Sequence, residues 1–301
     1  MLSGTLAFRS FPAGVLEAFQ ANALETRRTQ SAAAPIVTTR LTDRLALLTG
    51  PGGNVLVFHG PDGKILVDGF VRPAWPKLTQ ALDALSAAPI KWLIDTHWHF
   101  DHADNNGNAR AAGAKVIAHE NTKRRLTETH EVLGMRFDPS PDSELPTQTF
   151  AAGLKLNVNG EQVDLTHVPP AHTDTDVFVF FPAANVLHMG DVFFNGSYPF
   201  IDASTGGTID GMIDAVGLAL KRVTATTKIV PGHGPLGGRV SLDTYGRMLT
   251  TIRDRVRTAK RAGKTLDDVQ AAKPTADFDE SWGKGFMSGA AFLPLVYATT
   301  R

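Results

Sequence analysis

A chain of 301 residues with 43% hydrophobic and 20% charged side chains can bury one large core, and thirty Lys+Arg against thirty Asp+Glu leave no overall field to draw it to nucleic acid or an anionic membrane. The absence of Cys removes disulfides, thiolate ligands and thiol nucleophiles. No apolar run approaches the roughly 18 to 20 residues that span a bilayer, so a soluble protein is expected.

Residues 1–35 read as an N-terminal extension. Val15, Leu16, Phe19 and Leu24 recur at loose helical spacing and could pack on the body or on a second subunit. Ser31-Ala32-Ala33-Ala34 looks like the small-residue stretch that flanks a cleavage site, but no basic start and apolar run precede it. A cytoplasmic and a periplasmic location both stay open.

Short strands are expected at 36–41, 45–49, 54–59 and 64–68, divided by turn signals at Asp43, Pro51-Gly52-Gly53 and Pro61-Asp62-Gly63. Leu78, Leu82 and Leu85 mark a helix, and 91–95 a further strand. A helix is expected at 108–112, a strand at 115–118 and a polar helix over 121–133. Hairpins follow at 154–158 with 162–168, across Asn159-Gly160, and at 177–181 with 185–188. A helix over 212–223, a strand at 228–230 and helices at 242–262 and 266–272 complete the chain. Two strand-rich halves, each followed by helices, imply an α/β layered fold.

The run His97-Trp98-His99-Phe100-Asp101-His102 carries the chemistry. Four metal-competent side chains in six positions leave a strand on a loop, and two imidazoles, a carboxylate and a third imidazole suit a borderline cation such as Zn²⁺. On an extended segment His97 and His99 project to one side, because side chains alternate with period two. A single histidine is more often core or surface than ligand, and there are ten in the chain. His172 after Pro169-Pro170-Ala171, Asp191 after an apolar stretch and His233 within Pro-Gly-His-Gly-Pro each sit at the end of an expected strand. Individually they are weak signals, and Asp191 could equally be a cap or turn residue. Together with the run they make seven ligands, enough for two ions.

In this order and spacing, His97, His99, Asp101, His102, His172, Asp191 and His233 resemble the ligand set of the metallo-β-lactamase superfamily over roughly 36–235. The resemblance implies an αββα four-layer sandwich as the catalytic domain, residues 36–235, with metals at one edge of the paired sheets and a helical segment, 236–301, packing on the core. It implies that His97, His99 and His172 hold one metal, that Asp101, His102 and His233 hold a second, and that Asp191 bridges them. Two Zn²⁺ are expected, with Fe or Mn as alternatives. A metal-bound hydroxide would attack a cyclic amide or ester carbonyl, with Asp101 as the catalytic residue that orients the water and moves a proton. β-Lactam hydrolysis is the leading expectation.

Asp191 stands where the best-known β-lactamases of the superfamily carry Cys, which is more like glyoxalase II and the lactonases. A glyoxalase II-like thioesterase or a lactonase is therefore the alternative, although no basic residues match a glutathione site and Lys273 and Lys284 read as surface. A single-iron persulfide dioxygenase would keep the same motif, so an oxidoreductase remains open, as does a metal-binding fold without catalysis. The partner implied is a small-molecule substrate. Trp98, Phe194, Asn195 and Tyr198 are candidate substrate contacts, weighed against the plainer reading that Phe193 and Phe194 are core and Asn195-Gly196 a turn. Phe100 is as readily packing as contact. His167 and His188 read as core histidines, and His119 as one that could lie near the site. Asp68 is a candidate acceptor for the far nitrogen of a metal-bound imidazole.

Overall fold

A computed structural model describes residues 13–301, with side chains described from residue 23 onward. In chain order its strands are β1 (Val37–Arg40), β2 (Leu45–Gly50), β3 (Gly53–Gly60), β4 (Gly63–Val67), β5 (Ile90–Ile94), β6 (Lys115–His119), β7 (His130–Val132), β8 (Met135–Phe137), β9 (Gln148–Phe150), β10 (Gly153–Val158), β11 (Glu161–His167), β12 (Val177–Phe181), β13 (Val186–His188), β14 (Lys228–Val230) and β15 (Gly237–Gly238). The helices are α1 (Ala13–Ala32), α2 (Trp75–Leu85), α3 (Phe100–Ala103), α4 (Asn106–Ala111), α5 (Glu120–Leu126), α6 (Ile209–Arg222), α7 (Arg239–Arg261), α8 (Leu266–Ala272), α9 (Asp279–Trp282) and α10 (Gly289–Thr299).

One sheet runs β1-β2-β3-β4-β5-β6-β9 and the other β10-β11-β12-β13-β14-β15. Strand alternation sorts their side chains into layers. Leu56 and Phe58 of β3 and Ile65 and Val67 of β4 meet Val163, Val179 and Phe181 between the sheets. Val55, Val57 and Leu66, on the opposite face of the same strands, pack under Leu78 and Leu82 of α2. The second sheet turns Phe178, Leu187 and Ile229 outward onto α6, α7 and α10. These three cores make the fold an αββα sandwich. Among the described residues no helix is long and apolar enough to cross a membrane.

β9 and the short β15 join the sheets without having been expected, and two further stretches depart from expectation. The polar helix expected over 121–133 stops at Leu126, and β7 and β8 follow as a hairpin turning on Leu133 (φ 52°) and Gly134 (φ 72°). A leucine in the left-handed region is unusual, so nothing in the polar, aperiodic stretch announces this turn. The terminal helix α10 has no amphipathic period to read, because it is apolar nearly throughout and contains Pro294.

α1 lies along β8 and the short helical turn at 72–74. Leu24 is buried, whereas the side chains of Val15, Leu16 and Phe19 lie outside the described residues. Arg28 fixes α1 to the body: its Nε donates to Asp104 Oδ2 at 2.8 Å and a second nitrogen reaches Oδ1, with Asp104 only 3% exposed. Losing either partner would strand a buried charge, at a cost of about 3–5 kcal/mol.

Candidate metal centre

The parallel pairs β4/β5 and β13/β14 end at the same edge of the sandwich, and their loops meet there. His97 and His99 leave β5, Asp101 and His102 ride on the short α3, His172 lies between β11 and β12, Asp191 follows β13 and His233 follows β14. Cross-sheet bonds hold the loops: Val177 N donates to Thr96 O at 2.8 Å, and Asn54 Nδ2 donates to the carbonyls of Pro231 and Gly234 at 2.9 Å each. Gly232 passes so close that a Cβ there would lie 1.9 Å from Asp191 Oδ1. Only glycine leaves room for that carboxylate.

All seven side chains singled out from the sequence converge. One ligand atom from each of His97, His99 and His172 lies within 4.8 Å of the others, and the same holds for His97, His102 and Asp191 and for Asp101, His102 and His233. Asp191 joins the groups, with Oδ1 3.2 Å from His102 Nε2 and Oδ2 3.3 Å from His233 Nε2 and 3.6 Å from His172 Nε2. Asp101 Oδ2 is 3.3 Å from His233 Nε2.

The far nitrogens decide the tautomers. His102 Nδ1 lies 2.8 Å from Asp68 Oδ2, His172 Nδ1 2.8 Å from Phe200 O and His99 Nε2 3.1 Å from Asp202 Oδ2, so each of these nitrogens must donate. Thr96 Oγ1 gives its proton to Asp68, which leaves it to accept from His97 Nδ1 at 3.1 Å. Four imidazoles thus present His97 Nε2, His99 Nδ1, His102 Nε2 and His172 Nε2 inward. Of the inward atoms, His97 Nε2, His102 Nε2 and Asp191 Oδ1 are buried without a hydrogen-bond partner. Each such group ordinarily costs about 1–3 kcal/mol, and bound cations would satisfy all of them. The donor set fits divalent metal.

Charge divides the cluster. Burial, with His102 next, holds His97 well below the usual imidazole range, and burial pulls His172 down to about 4. For His102 and His233 burial acts the same way, but carboxylates, Asp191 foremost, outweigh it and push His102 well up and His233 to about 10. Burial would raise Asp191, yet His233 and His102 hold it well below the usual carboxylate range. Protons on His102 and His233 therefore compete with a cation and would leave as it binds.

Asp68, expected as an outer acceptor, takes a left-handed turn (φ 66°) and accepts from both Thr96 N and His102. Asp202 plays the same part for His99 and was not foreseen. Burial would raise its pKa, but donors headed by His99 hold it well below the usual range. The sequence around Asp202 signals only a turn.

A cavity of about 350 Å³ opens over the cluster. Phe194 and Phe100 line it, and the Phe194 ring stacks on His233 with centroids 5.0 Å apart. Three of the expected substrate contacts are corrected. Trp98, between two inward histidines, points the other way: it is 3% exposed, packs on His130 and Phe137, and borders a neighbouring cavity. Tyr198 is fully buried, its hydroxyl donating to Asp279 Oδ1 at 2.9 Å and its ring stacked on Phe292. Asn195 is not among the lining residues and donates to Pro235 O at 2.8 Å, holding the His233 loop. Phe193 is core, against Tyr245. Phe200 lines the cavity as well, and Met135, Phe137, Phe286 and Arg27 do so without having been expected there.

The remaining histidines stay outside the ligand set. His188 is buried beneath it, its Nδ1 accepting from Gly190 N at 3.1 Å. His119 and His167 stack with centroids 3.6 Å apart and donate to the carbonyls of Ala151 and Asp174. Lys284 pairs with Glu280 at the surface.

The family model for the metallo-beta-lactamase superfamily matches residues 48–233. Among solved structures, a metallo-beta-lactamase from Pontibacter korlensis is 19% identical, with a TM-score of 0.61 over 71% of this chain and 99% of that one. A metallo-beta-lactamase from Pseudomonas aeruginosa in a mono-zinc form is 19% identical, with a TM-score of 0.58 over 72% of this chain and 95% of that one. A stereoselective inverting sec-alkylsulfatase from Pseudomonas sp. is 14% identical, with a TM-score of 0.65 over 90% of this chain and 51% of that one.

Proposed function

The chain belongs to the metallo-β-lactamase superfamily, and on that premise we propose that it is a dinuclear, zinc-dependent hydrolase that opens a cyclic amide or ester carbonyl, a β-lactam first among them. The observation that carries this reading is the convergence of four tautomer-locked imidazoles and Asp191 on one space at the floor of an open cavity. His97, His99 and His172 would hold one cation, Asp101, His102 and His233 the other, and Asp191 both. Two such cations acidify water toward neutral pH and polarise a carbonyl. Asp101, 17% exposed and lining the cavity, is placed to accept a hydrogen bond from water and take its proton. Asp68 and Asp202 keep His102 and His99 from turning away.

The cavity suits a compact small molecule. Its walls are Phe100, Phe137, Phe194, Phe200 and Met135, with the carboxylates confined to the floor. Neither a nucleic acid nor a membrane surface is called for by a chain of zero formal charge. A sulfate ester is the second reading, favoured by the 90% of this chain that the alkylsulfatase covers against 71–72% for the two β-lactamases.

A rate comparison on a chromogenic cephalosporin, a homoserine lactone, a glutathione thioester and an alkyl sulfate tests the reading. The cephalosporin should turn over fastest, lose all turnover to EDTA and regain it with Zn²⁺. Chelator-resistant hydrolysis would contradict the mechanism, and turnover of the thioester or the sulfate alone would replace the substrate.

A further inference from the structure

We propose that α1 is a wall of the catalytic cavity and that Arg27 is its anion-recognising residue, selecting substrates that carry an acidic group beside an apolar body. Arg27 and Ser31, four residues apart and so on one face of α1, both line the cavity. Among the described residues no other Lys or Arg lines it, and between Asp191 and Leu220, the stretch that follows the bridging carboxylate, the chain has no Lys or Arg at all. An acidic substrate group therefore meets its cation at Arg27.

The helix is held where this requires. Arg28, the next residue, pairs with buried Asp104 three positions beyond Asp101, and Asp104 also accepts from Arg72 N at 2.9 Å. At the far end Lys77 Nζ donates to Ala32 O at 2.7 Å. The two arginines have different tasks. Arg28 has a carboxylate, whereas among the described residues none pairs with Arg27, whose guanidinium carbon sits 5.5 Å from the centroid of the half-exposed Phe286 ring. A guanidinium supported on a ring face keeps its N–H fork free for a carboxylate, sulfate or phosphate oxygen pair. Arg27, Leu133, Met135 and Phe286 also border a second groove of about 930 Å³ between α1 and the start of α10, so an apolar body has room to extend past the charge.

The role of Arg27 in turnover rests on the hydrolase reading; its role in binding does not. Calorimetric titration of the full-length, metal-loaded protein with 4-phenylbutyrate and with its primary amide reads binding directly. The acid should bind the wild type about tenfold more tightly than Arg27→Met, the amide should not distinguish them, and Arg27→Lys should recover part of the difference. In kinetics on a cephalosporin and its methyl ester, Arg27→Met should raise KM for the free acid about tenfold with kcat within about twofold, and leave the ester unchanged. Equal affinity of the acid for wild type and variant, as expected if metal alone held it, would overturn the proposal, and so would an equal loss with acid and amide. If no substrate turned over, the hydrolase reading would fall while the titration still decided Arg27.

Discussion

Asp191→Ala should strip the chain of most of its bound metal and lower turnover by about a thousandfold, an order beyond the 10–100-fold that loss of an outer partner costs. The carboxylate is 5% exposed and stands within 4.0 Å of His97, His102, His172 and His233, so both halves of the centre depend on it. Without it His102 and His233 lose the carboxylate that does most to raise them and give up their protons more readily, so the loss of metal comes from the missing anionic ligand. Gly232, the residue beside Oδ1, offers no side chain to replace it. Metal content by mass spectrometry, measured beside the rate, checks this. Retention of two equivalents would show that Asp191 is a structural turn residue.

Asp101→Asn should act more narrowly. The amide keeps the size of the carboxylate but accepts fewer hydrogen bonds and carries no charge, so the Asp101, His102 and His233 group should lose its metal while His97, His99 and His172 keep theirs. About one equivalent should remain, with turnover down by about 10²–10⁴-fold, the range for a positioned base. The fold should be untouched, since Asp101 sits at the cavity rather than in the core. A variant that turns over at the wild-type rate would rule out the role assigned to Asp101.

The candidate metal centre was legible in the sequence because its residues are few, chemically distinctive and placed at strand ends. His97 and His99 lie just past the end of β5 at Ile94, and the alternation expected of an extended segment still describes them. That same alternation sends Trp98 away from the cavity. Reading the period through to the residue between the histidines would have removed Trp98 from the substrate contacts. Strand order was harder to read: β3 and β4 are buried on both faces, so Val55 and Leu56 look alike although they pack in different cores. The cavity wall was not legible at all. Arg27 and Phe286 meet across 259 positions of sequence, and neither sits in a motif. Asp202 was hidden for a related reason: its value comes from the orientation of His99, which only the folded loop creates.

Total metal analysis of the purified, active chain separates a dinuclear zinc hydrolase from its alternatives. Close to two zinc ions per chain are expected, removed by chelation together with hydrolysis and restored together on adding Zn²⁺. One iron per chain with no zinc would contradict it and move the protein to sulfur oxidation, with the same histidines holding a different chemistry.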